Sequence, residues 1–321
     1  MKKPLIILIL SIALVLCGCS AEQELDASRS DQIISDAGKY VISTEGKVIT
    51  NTDTGEETAI LHNIFNTDRI SKVCANGSKI YCLTEGSKTA ITEIDTTDFS
   101  ENVIYERSNE TYNFFGVQSV SYSVETFINE HIDYFAVGEN SVYFYNNINK
   151  TVKRYDRFTK TESILLSDIT DPVFSGDAIY FISSGRLLSC YKFSTDTTTV
   201  IAPDIAVSQI LFDGERIWFR QVASDSNIGY INDNGEPVMT DVSANSFCAL
   251  KGTLYYIGDD GYVYRTSENS TDERFTDLKP IIIKALPEAN CLYFYCYKQS
   301  GKMYIVSADN GDIIKEMALL R

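Results

Sequence analysis

Few side chains in this sequence have the type and spacing that catalysis requires. There are two histidines, His62 and His131, and neither has a second histidine at metal-ligand spacing. His131 follows Glu130, an arrangement typical of an ordinary surface or packing histidine. A nucleophile elbow, a P-loop and a dinucleotide-binding fingerprint are absent from the sequence. These observations predict no catalytic residue, no cofactor and no histidine-based metal site.

Two adjacent carboxylates, Asp259 and Asp260, form a candidate calcium site between Gly258 and Gly261. Calcium takes oxygen ligands from flexible loops, so paired carboxylates suit it. The same four residues are also typical of the tight loop of a β-hairpin, where both carboxylates are solvated. The sequence leaves both interpretations open and favours the hairpin.

The amino terminus carries the strongest local signal. Lys2 and Lys3 precede an apolar run at residues 4–16, interrupted only by Ser11. This run fits a signal-peptide core and is shorter than the roughly 20 residues of a membrane span. It ends in Leu16-Cys17-Gly18-Cys19, which resembles the bacterial lipobox. The resemblance implies cleavage before Cys19 and a lipid on that cysteine, with an ordinary signal peptide or an uncleaved anchor as alternatives.

The remaining chain divides into a short tether and one large body. A diacylglyceryl group on Cys19 would hold the protein stably at a membrane, because two acyl chains suffice where one is marginal. Residues 19–30 are polar and acidic without large aromatic side chains, which predicts a solvated tether. Residues 31–321 form the body, and the lipid implies an outward-facing position on the bacterial cell membrane.

The chain is strongly acidic, with 28 basic and 44 acidic residues among its 321. Residues 1–18 contain two of the basic residues, so their removal leaves 26 against 44, a net charge of −18. Such a surface repels nucleic-acid phosphates and anionic lipid headgroups. This charge argues against nucleic-acid binding and against docking through a basic patch. The 44% hydrophobic and 12% aromatic content also excludes a disordered chain.

Six cysteines remain in the body: Cys74, Cys82, Cys190, Cys248, Cys291 and Cys296. In an exported protein they could form disulfides. Cys74 and Cys248 each lie six residues before an aromatic segment, which suggests small core residues at equivalent positions of a repeat. Cys291 and Cys296 lie an odd number of residues apart on one predicted strand, so their side chains are expected to face opposite sides of the sheet. Cys74 with Cys82 is the one pairing that the sequence suggests.

The body contains a repeated aromatic segment that predicts its architecture. Copies begin at Ile80, Val142, Ile179, Ile217, Leu254 and Leu292, at intervals of 62, 37, 38, 37 and 38 residues. Turn signals such as Asn76-Gly77 precede most copies. A second repeated position, here called the second column, follows five of the copies and is occupied by Tyr155, Tyr191, Tyr230, Tyr264 and Tyr304. Four short strands in about 40 residues is the signature of a propeller blade. The sequence predicts an all-β propeller with the aromatic strands second from the axis.

The length of the body predicts the number of blades. The long first interval indicates an insertion at about residues 108–130. Without this insertion, the body accommodates seven four-stranded blades, of which the first is a degenerate copy at residues 31–68. Six or eight blades are the alternatives. The insertion is apolar for a loop, so it either packs over one face of the propeller or supplies a partner surface.

The repeated Ile-Tyr-Phe and Ile-Trp-Phe strands resemble the YWTD-type propeller of low-density-lipoprotein receptors. They are more similar to related bacterial propeller domains of unknown function, which are typically secreted or lipid-anchored. The chain departs from the receptor motif where that motif has Thr-Asp, since Phe-Ile, Phe-Arg or Phe-Tyr stands there. The resemblance therefore implies the fold and not the receptor's ligand.

Two classes of function are compatible with these observations. The first is a non-catalytic binding or scaffolding propeller that presents loops to an envelope or extracellular protein, peptide or glycan. The second is a lyase or glycosidase acting on polysaccharide at the central funnel, which would need a convergent acid/base pair. Most carboxylates lie in turns, where solvated ones are expected. The sequence therefore favours binding.

Overall fold

The structure, a computed structural model, describes residues 34–43, 48–61, 69–85, 88–108, 111–114, 117–120, 131–222, 226–267, 272–296 and 302–318. Every regular element in these ranges is a β-strand, and all strand pairs are antiparallel. The all-β class predicted from the sequence is confirmed. No helix in the described part of the chain is long and apolar enough to cross a membrane.

The strands form units, each a run of four consecutive strands paired in chain order. Units 1 to 3 comprise β1 (Ile34–Ala37), β2 (Tyr40–Ser43), β3 (Val48–Asn51), β4 (Glu57–Ala59); β5 (Arg69–Asn76), β6 (Lys79–Glu85), β7 (Lys88–Asp95), β8 (Glu101–Ser108); and, after the hairpin of β9 (Thr111–Phe114) and β10 (Val117–Val120), β11 (Tyr134–Val137), β12 (Ser141–Asn146), β13 (Thr151–Asp156) and β14 (Glu162–Leu166).

Units 4 to 7 continue the same order. They comprise β15 (Thr170–Ser175), β16 (Ala178–Ile182), β17 (Leu187–Lys192), β18 (Thr197–Phe212); the second half of β18 with β19 (Ile217–Gln221), β20 (Asn227–Ile231), β21 (Pro237–Ser243); β22 (Phe247–Leu250), β23 (Thr253–Ile257), β24 (Val263–Thr266), β25 (Glu273–Thr276); and β26 (Ile282–Leu286), β27 (Cys291–Cys296), β28 (Lys302–Ser307) and β29 (Ile313–Ala318).

Strand β18 differs from the other outer strands because it belongs to two units. Its first half pairs with β17 as the outer strand of unit 4, and its second half pairs with β19 as the first strand of unit 5. The two units thus form one seven-stranded sheet. The sequence contains no glycine between Gly185 and Gly214, and the strand continues through Pro203 and Asp204 where the two halves meet.

The predicted turns position the aromatic strands. Gly77 and Gly176 lie in hairpins between first and second strands with φ of 57° and 52°, a conformation that glycine adopts without steric cost. Each aromatic segment then forms the second strand of its unit. The tyrosines of the second column lie on third strands, as in the pairing of Ile179 with Tyr191.

Alternation along each aromatic strand places its side chains against both neighbouring units. Phe181 packs with Tyr143 and Val152 of unit 3. Tyr180, the preceding residue, packs toward Val207 of unit 5. A single sheet cannot bury both of its faces, so each unit relies on its neighbours for its core.

The described residues contain seven groups of buried side chains, each between two adjacent units. The last group joins Ile34 and Val41 of unit 1 to Leu286, Tyr293 and Ile305 of unit 7. Because the first and last units share a core, the ring of sheets closes, and the predicted propeller is confirmed. Units 1 and 7 share no described strand, so the ring is closed by side-chain contacts between them and not by strand pairing.

The antiparallel order gives the ring two different faces. One face, here called the connection face, holds the loops between second and third strands and the connections from one unit to the next. The opposite face, here called the hairpin face, holds the loops between first and second strands and between third and fourth strands. The hairpin of β9 and β10 falls within the predicted insertion, whose residues 121–130 lie outside the described ranges.

Candidate functional site

The first strands of six units surround a central channel with a cavity of about 440 Å³. Its wall combines buried aromatic side chains, among them Phe174 and Phe247, with hydrogen-bonding groups. The polar side chains in the wall are Ser35, Asp36, Gln209, Asn245, Ser246, Lys284 and Glu288. No segment of sequence contains this site, because the wall is assembled from strands more than 200 residues apart.

Asp36 is the most unusual of these residues. Its side chain is 6% exposed, and Oδ2 accepts a hydrogen bond of 2.7 Å from the backbone N–H of Ala289 in unit 7. Burial raises the pKa of Asp36 to about 7, the bond from Ala289 opposes this rise, and the charge of Glu288 adds to it. The channel therefore contains a carboxyl group that titrates near neutral pH.

The register of the sheets shows why Asp36 escaped the sequence analysis. It pairs with Val41 at a first-strand position where the other units carry apolar residues. These are Ala75, Val137, Phe174, Phe212, Ala249 and Ala285. An alignment of the seven first strands would have revealed Asp36 as the charged exception, but the aromatic segments alone do not supply that register.

A depression of about 790 Å³ adjoins the channel on the connection face. Its lining combines neutral polar and apolar residues with one carboxylate, Asp259: Ser226, Ser243, Ala244, Asn245, Ser246, Ile257, Gly258, Asp259, Gly261, Pro280 and Ile281. Asn245 and Ser246 line both the depression and the channel cavity. The two cavities therefore meet at these residues, and together they are called the channel groove below.

Asp259 and Asp260, the candidate calcium ligands, lie in the loop of the hairpin between β23 and β24. Oδ1 of Asp260 accepts a 3.1 Å bond from the N–H of Tyr262, and Oδ2 accepts a 2.8 Å bond from the hydroxyl of Tyr264. These hydrogen bonds hold the pKa of Asp260 below its usual range. Asp259 lines the channel groove instead. No group of three or more His, Cys, Asp or Glu suited to a metal occurs among the described residues.

The six body cysteines are buried free thiols. Cys74 pairs with Tyr81, and Cys82 pairs with Val73. Adjacent register positions face opposite sides of a sheet, so Cys74 lies between units 2 and 3 while Cys82 lies between units 1 and 2. The disulfide suggested for this pair is therefore not formed.

Cys291 and Cys296 also face opposite sides of their sheet, as their spacing predicted. Cys248 pairs with Tyr255 as Cys74 pairs with Tyr81, so the repeat equivalence of these two cysteines is confirmed.

The histidines form no common site in the described ranges. Nε2 of His131 lies 3.3 Å from Oδ1 of Asp133, and its side chain is 30% exposed. His62 and the predicted lipid-bearing Cys19 lie outside the described residues. Lys72, which no sequence motif indicates, is 6% exposed on first strand β5, and burial lowers its pKa.

Comparison with known proteins supports the fold alone. No protein-family model matches the chain, and no curated protein sequence matches it significantly. Among solved structures, PorZ, a surface component of the type-IX secretion system of Porphyromonas gingivalis, is similar at 14% identity with a TM-score of 0.57. The similarity covers 93% of this chain and 39% of PorZ, so this chain spans well under half of that protein.

Two further structures are similar over nearly their whole length. An oligogalacturonate lyase in complex with manganese has 11% identity and a TM-score of 0.54, over 92% of this chain and 91% of the lyase. The computationally designed protein Ika8 has 14% identity and a TM-score of 0.51, over 92% and 90% of the two chains. These likenesses do not show membership of the YWTD-type family, and that resemblance stays a prediction.

Proposed function

We propose that this protein is a non-catalytic binding propeller that holds a segment of a partner protein in the channel groove. The observation that carries the proposal is the junction of the two cavities at Asn245 and Ser246. These shared residues place the channel cavity next to the depression on the connection face. A recess with apolar walls and a few hydrogen-bonding groups is typical of ligand sites.

The chemistry of the depression, where Asp259 is the one charged residue of the lining, suits a largely uncharged peptide segment. Ser226, Ser243 and Asn245 offer hydrogen-bonding groups that can pair with a peptide backbone. Ile257 and Ile281 offer apolar surface beside them, and Ile281 is 42% exposed. A partner segment can therefore exchange water for matched polar and apolar contacts.

Anchoring by a lipid on Cys19 forms part of the proposal. The lipobox-like sequence supports it, and a tether of residues 19–30 would leave the propeller free to meet partners outside the membrane. Cys19→Ala should yield an unlipidated precursor. Mass spectrometry that finds an unmodified mature amino terminus at any residue other than Cys19 contradicts the anchor and leaves the groove proposal intact.

The enzyme alternative, a lyase or glycosidase, rests on Asp36 and Glu288 in the channel wall. A carboxyl group that titrates near neutrality can act as a general acid. Polysaccharide cleavage that Asp36→Asn abolishes would establish this alternative. Turnover that survives in Asp36→Asn would show an enzyme that does not use Asp36 and would contradict the binding proposal, whereas no turnover in the natural protein leaves binding as the function.

The groove is tested with two matched variants of the soluble form, residues 20–321. Asn245→Trp fills the junction of the cavities, and Asn234→Trp places the same change in an exposed turn on the hairpin face. Partners captured from the native envelope should be lost with Asn245→Trp and retained with Asn234→Trp. Equal capture by both variants would falsify the groove as the binding site.

A further inference from the structure

The outer strand of each unit is an exposed sheet edge, and edges pair with other chains unless charges or prolines protect them. Most outer strands in the described ranges carry such protection. The protecting residues are Glu57 on β4, Glu101 and Glu106 on β8, Glu162 on β14, Pro237 and Asp241 on β21, Glu273 and Arg274 on β25, and Lys315 and Glu316 on β29.

The outer half of β18 carries a proline and a charge at one end only, at Pro203 and Asp204, and leaves six consecutive residues without either. Its residues 197–202 read Thr-Thr-Thr-Val-Ile-Ala, without a charge or a proline. The first four are exposed, and Val200 retains 47% of its accessible surface. Thr, Val and Ile also have high strand propensity. This stretch therefore combines the features that allow a sheet edge to accept another strand.

The edge is also held in an extended conformation. Residues 197–200 pair in regular register with Lys192–Ser189 of β17 on one side, and no described strand pairs with them on the other. Beyond Ala202 the strand continues into unit 5, where Ile210 pairs with Phe219 in the core. Both ends of the edge are fixed, so a pairing strand would not bear the cost of ordering it.

The charges around this edge indicate its partner. Exposed carboxylates flank it on both sides, Asp196 before and Asp204 after. A cation, Lys192, lies one strand further in, opposite Thr197. The whole chain has a net charge of −16. An uncharged centre between two carboxylates fits a segment with uncharged residues in the middle and a basic residue at each end.

We infer that the outer edge of unit 4, residues 197–201, binds an extended peptide segment by strand addition. The segment has β-branched or hydroxyl residues in its centre and Lys or Arg at its ends. Main-chain hydrogen bonds would supply affinity, and the flanking carboxylates would select the basic ends. A second copy of this chain fits less well, because the edge is short and two strongly acidic bodies repel each other. This site is separate from the channel groove and does not depend on it.

The test uses residues 20–321 with a blocked synthetic peptide, Lys-Thr-Val-Thr-Val-Thr-Lys, and a second peptide with Glu at both ends. Amide hydrogen exchange is followed by mass spectrometry. The Lys-ended peptide should slow exchange at residues 197–201, and the Glu-ended peptide should do so several-fold less effectively. Asn245→Trp should leave this protection unchanged, which separates the edge from the groove.

Two matched variants complete the test. Val200→Lys places a charge on the edge and should abolish the protection, whereas Val103→Lys makes the same change on outer strand β8, where Val103 is 54% exposed, and should retain it. Thr198→Lys is the second edge variant if Val200→Lys lowers the melting temperature. No protection, or equal protection in the edge variants and Val103→Lys, overturns the inference. Concentration-dependent dimerisation without peptide, abolished by Val200→Lys, assigns the edge to a second copy instead and also overturns it.

Discussion

The indole nitrogen of Trp218 donates a 2.7 Å hydrogen bond to Oδ2 of Asp213, a carboxylate with no exposed surface. Oδ1 accepts 2.8 Å bonds from the N–H groups of Glu215 and Arg216 in the same hairpin. Oδ2 also accepts a 3.0 Å bond from the N–H of Gly252 in unit 6. One buried side chain therefore shapes the hairpin between β18 and β19 and joins units 5 and 6.

We expect Asp213→Ala to destabilise the protein by at least about 3 kcal/mol, because each buried donor left unsatisfied costs about 1–3 kcal/mol. Urea unfolding followed by fluorescence measures this loss, since Trp218 is the only tryptophan in the chain. Asp233→Ala, in the exposed turn before β21, is the control and should change little. A similar loss in both variants would show that the bonds of Asp213 are not what stabilises the hairpin.

Asp36 should make stability depend on pH. Its folded-state pKa of about 7 lies above the value of 3.8 expected in the unfolded chain. Between these values the folded protein retains a proton that the unfolded chain has lost, so the contribution of Asp36 to stability is full below pH 4 and is lost as the pH rises to 7. The shift corresponds to about 4 kcal/mol at most.

The measurement for Asp36 is the melting temperature from pH 4.5 to 8, compared between the natural protein and Asp36→Asn. The difference should change steadily up to about pH 7, with the natural protein losing stability relative to the variant, and then level off. Glu288→Gln should move the change to lower pH, because the charge of Glu288 raises the pKa of Asp36. A constant difference across the range contradicts the assignment.

Phe181→Ala and Phe294→Ala should lower one shared thermal transition. Each phenylalanine packs in the core between two units, 3 and 4 for Phe181 and 6 and 7 for Phe294. Truncation of a buried phenylalanine costs about 3–5 kcal/mol. In a closed ring the loss of one unit exposes two neighbouring faces, so unfolding is expected to be cooperative. Calorimetry that resolves separate transitions for the two variants would contradict this cooperativity.

The six body thiols should react slowly with Ellman's reagent in the folded protein and all six should react in denaturant. Their burial restricts access, and it raises the pKa of Cys291 and Cys296 to about 11, which leaves little reactive thiolate at pH 8. The soluble form, residues 20–321, is the appropriate protein because it contains only these six cysteines. Four or fewer reactive thiols in denaturant without reductant would reveal a disulfide.

The fold could be predicted because its signals are local. An aromatic strand with a turn before it, such as Asn76-Gly77 before Ile80, indicates within a few residues where the chain reverses direction and which side chains alternate between the two faces of the sheet. Repetition of this pattern at intervals of 37 and 38 residues then requires neighbouring sheets to cover one another. Turns such as Asp233-Asn234-Gly235 are likewise encoded where they occur, and Gly235 has a φ of 79°.

The functional surfaces could not be predicted in this way, because their residues meet only when the ring closes. The bond between Asp36 and Ala289 joins positions 253 residues apart, and no local pattern relates them. The pKa of Asp36 depends on burial that units 1 and 7 create together. The continuity of β18 depends on its pairing with β17 in unit 4 and with β19 in unit 5. By itself, therefore, the sequence determined the strands, the turns and the repeat, which arise from neighbouring residues. The tertiary structure alone decided the channel groove, the buried carboxyl of Asp36 and the outer edge of unit 4, which arise from contacts between distant residues.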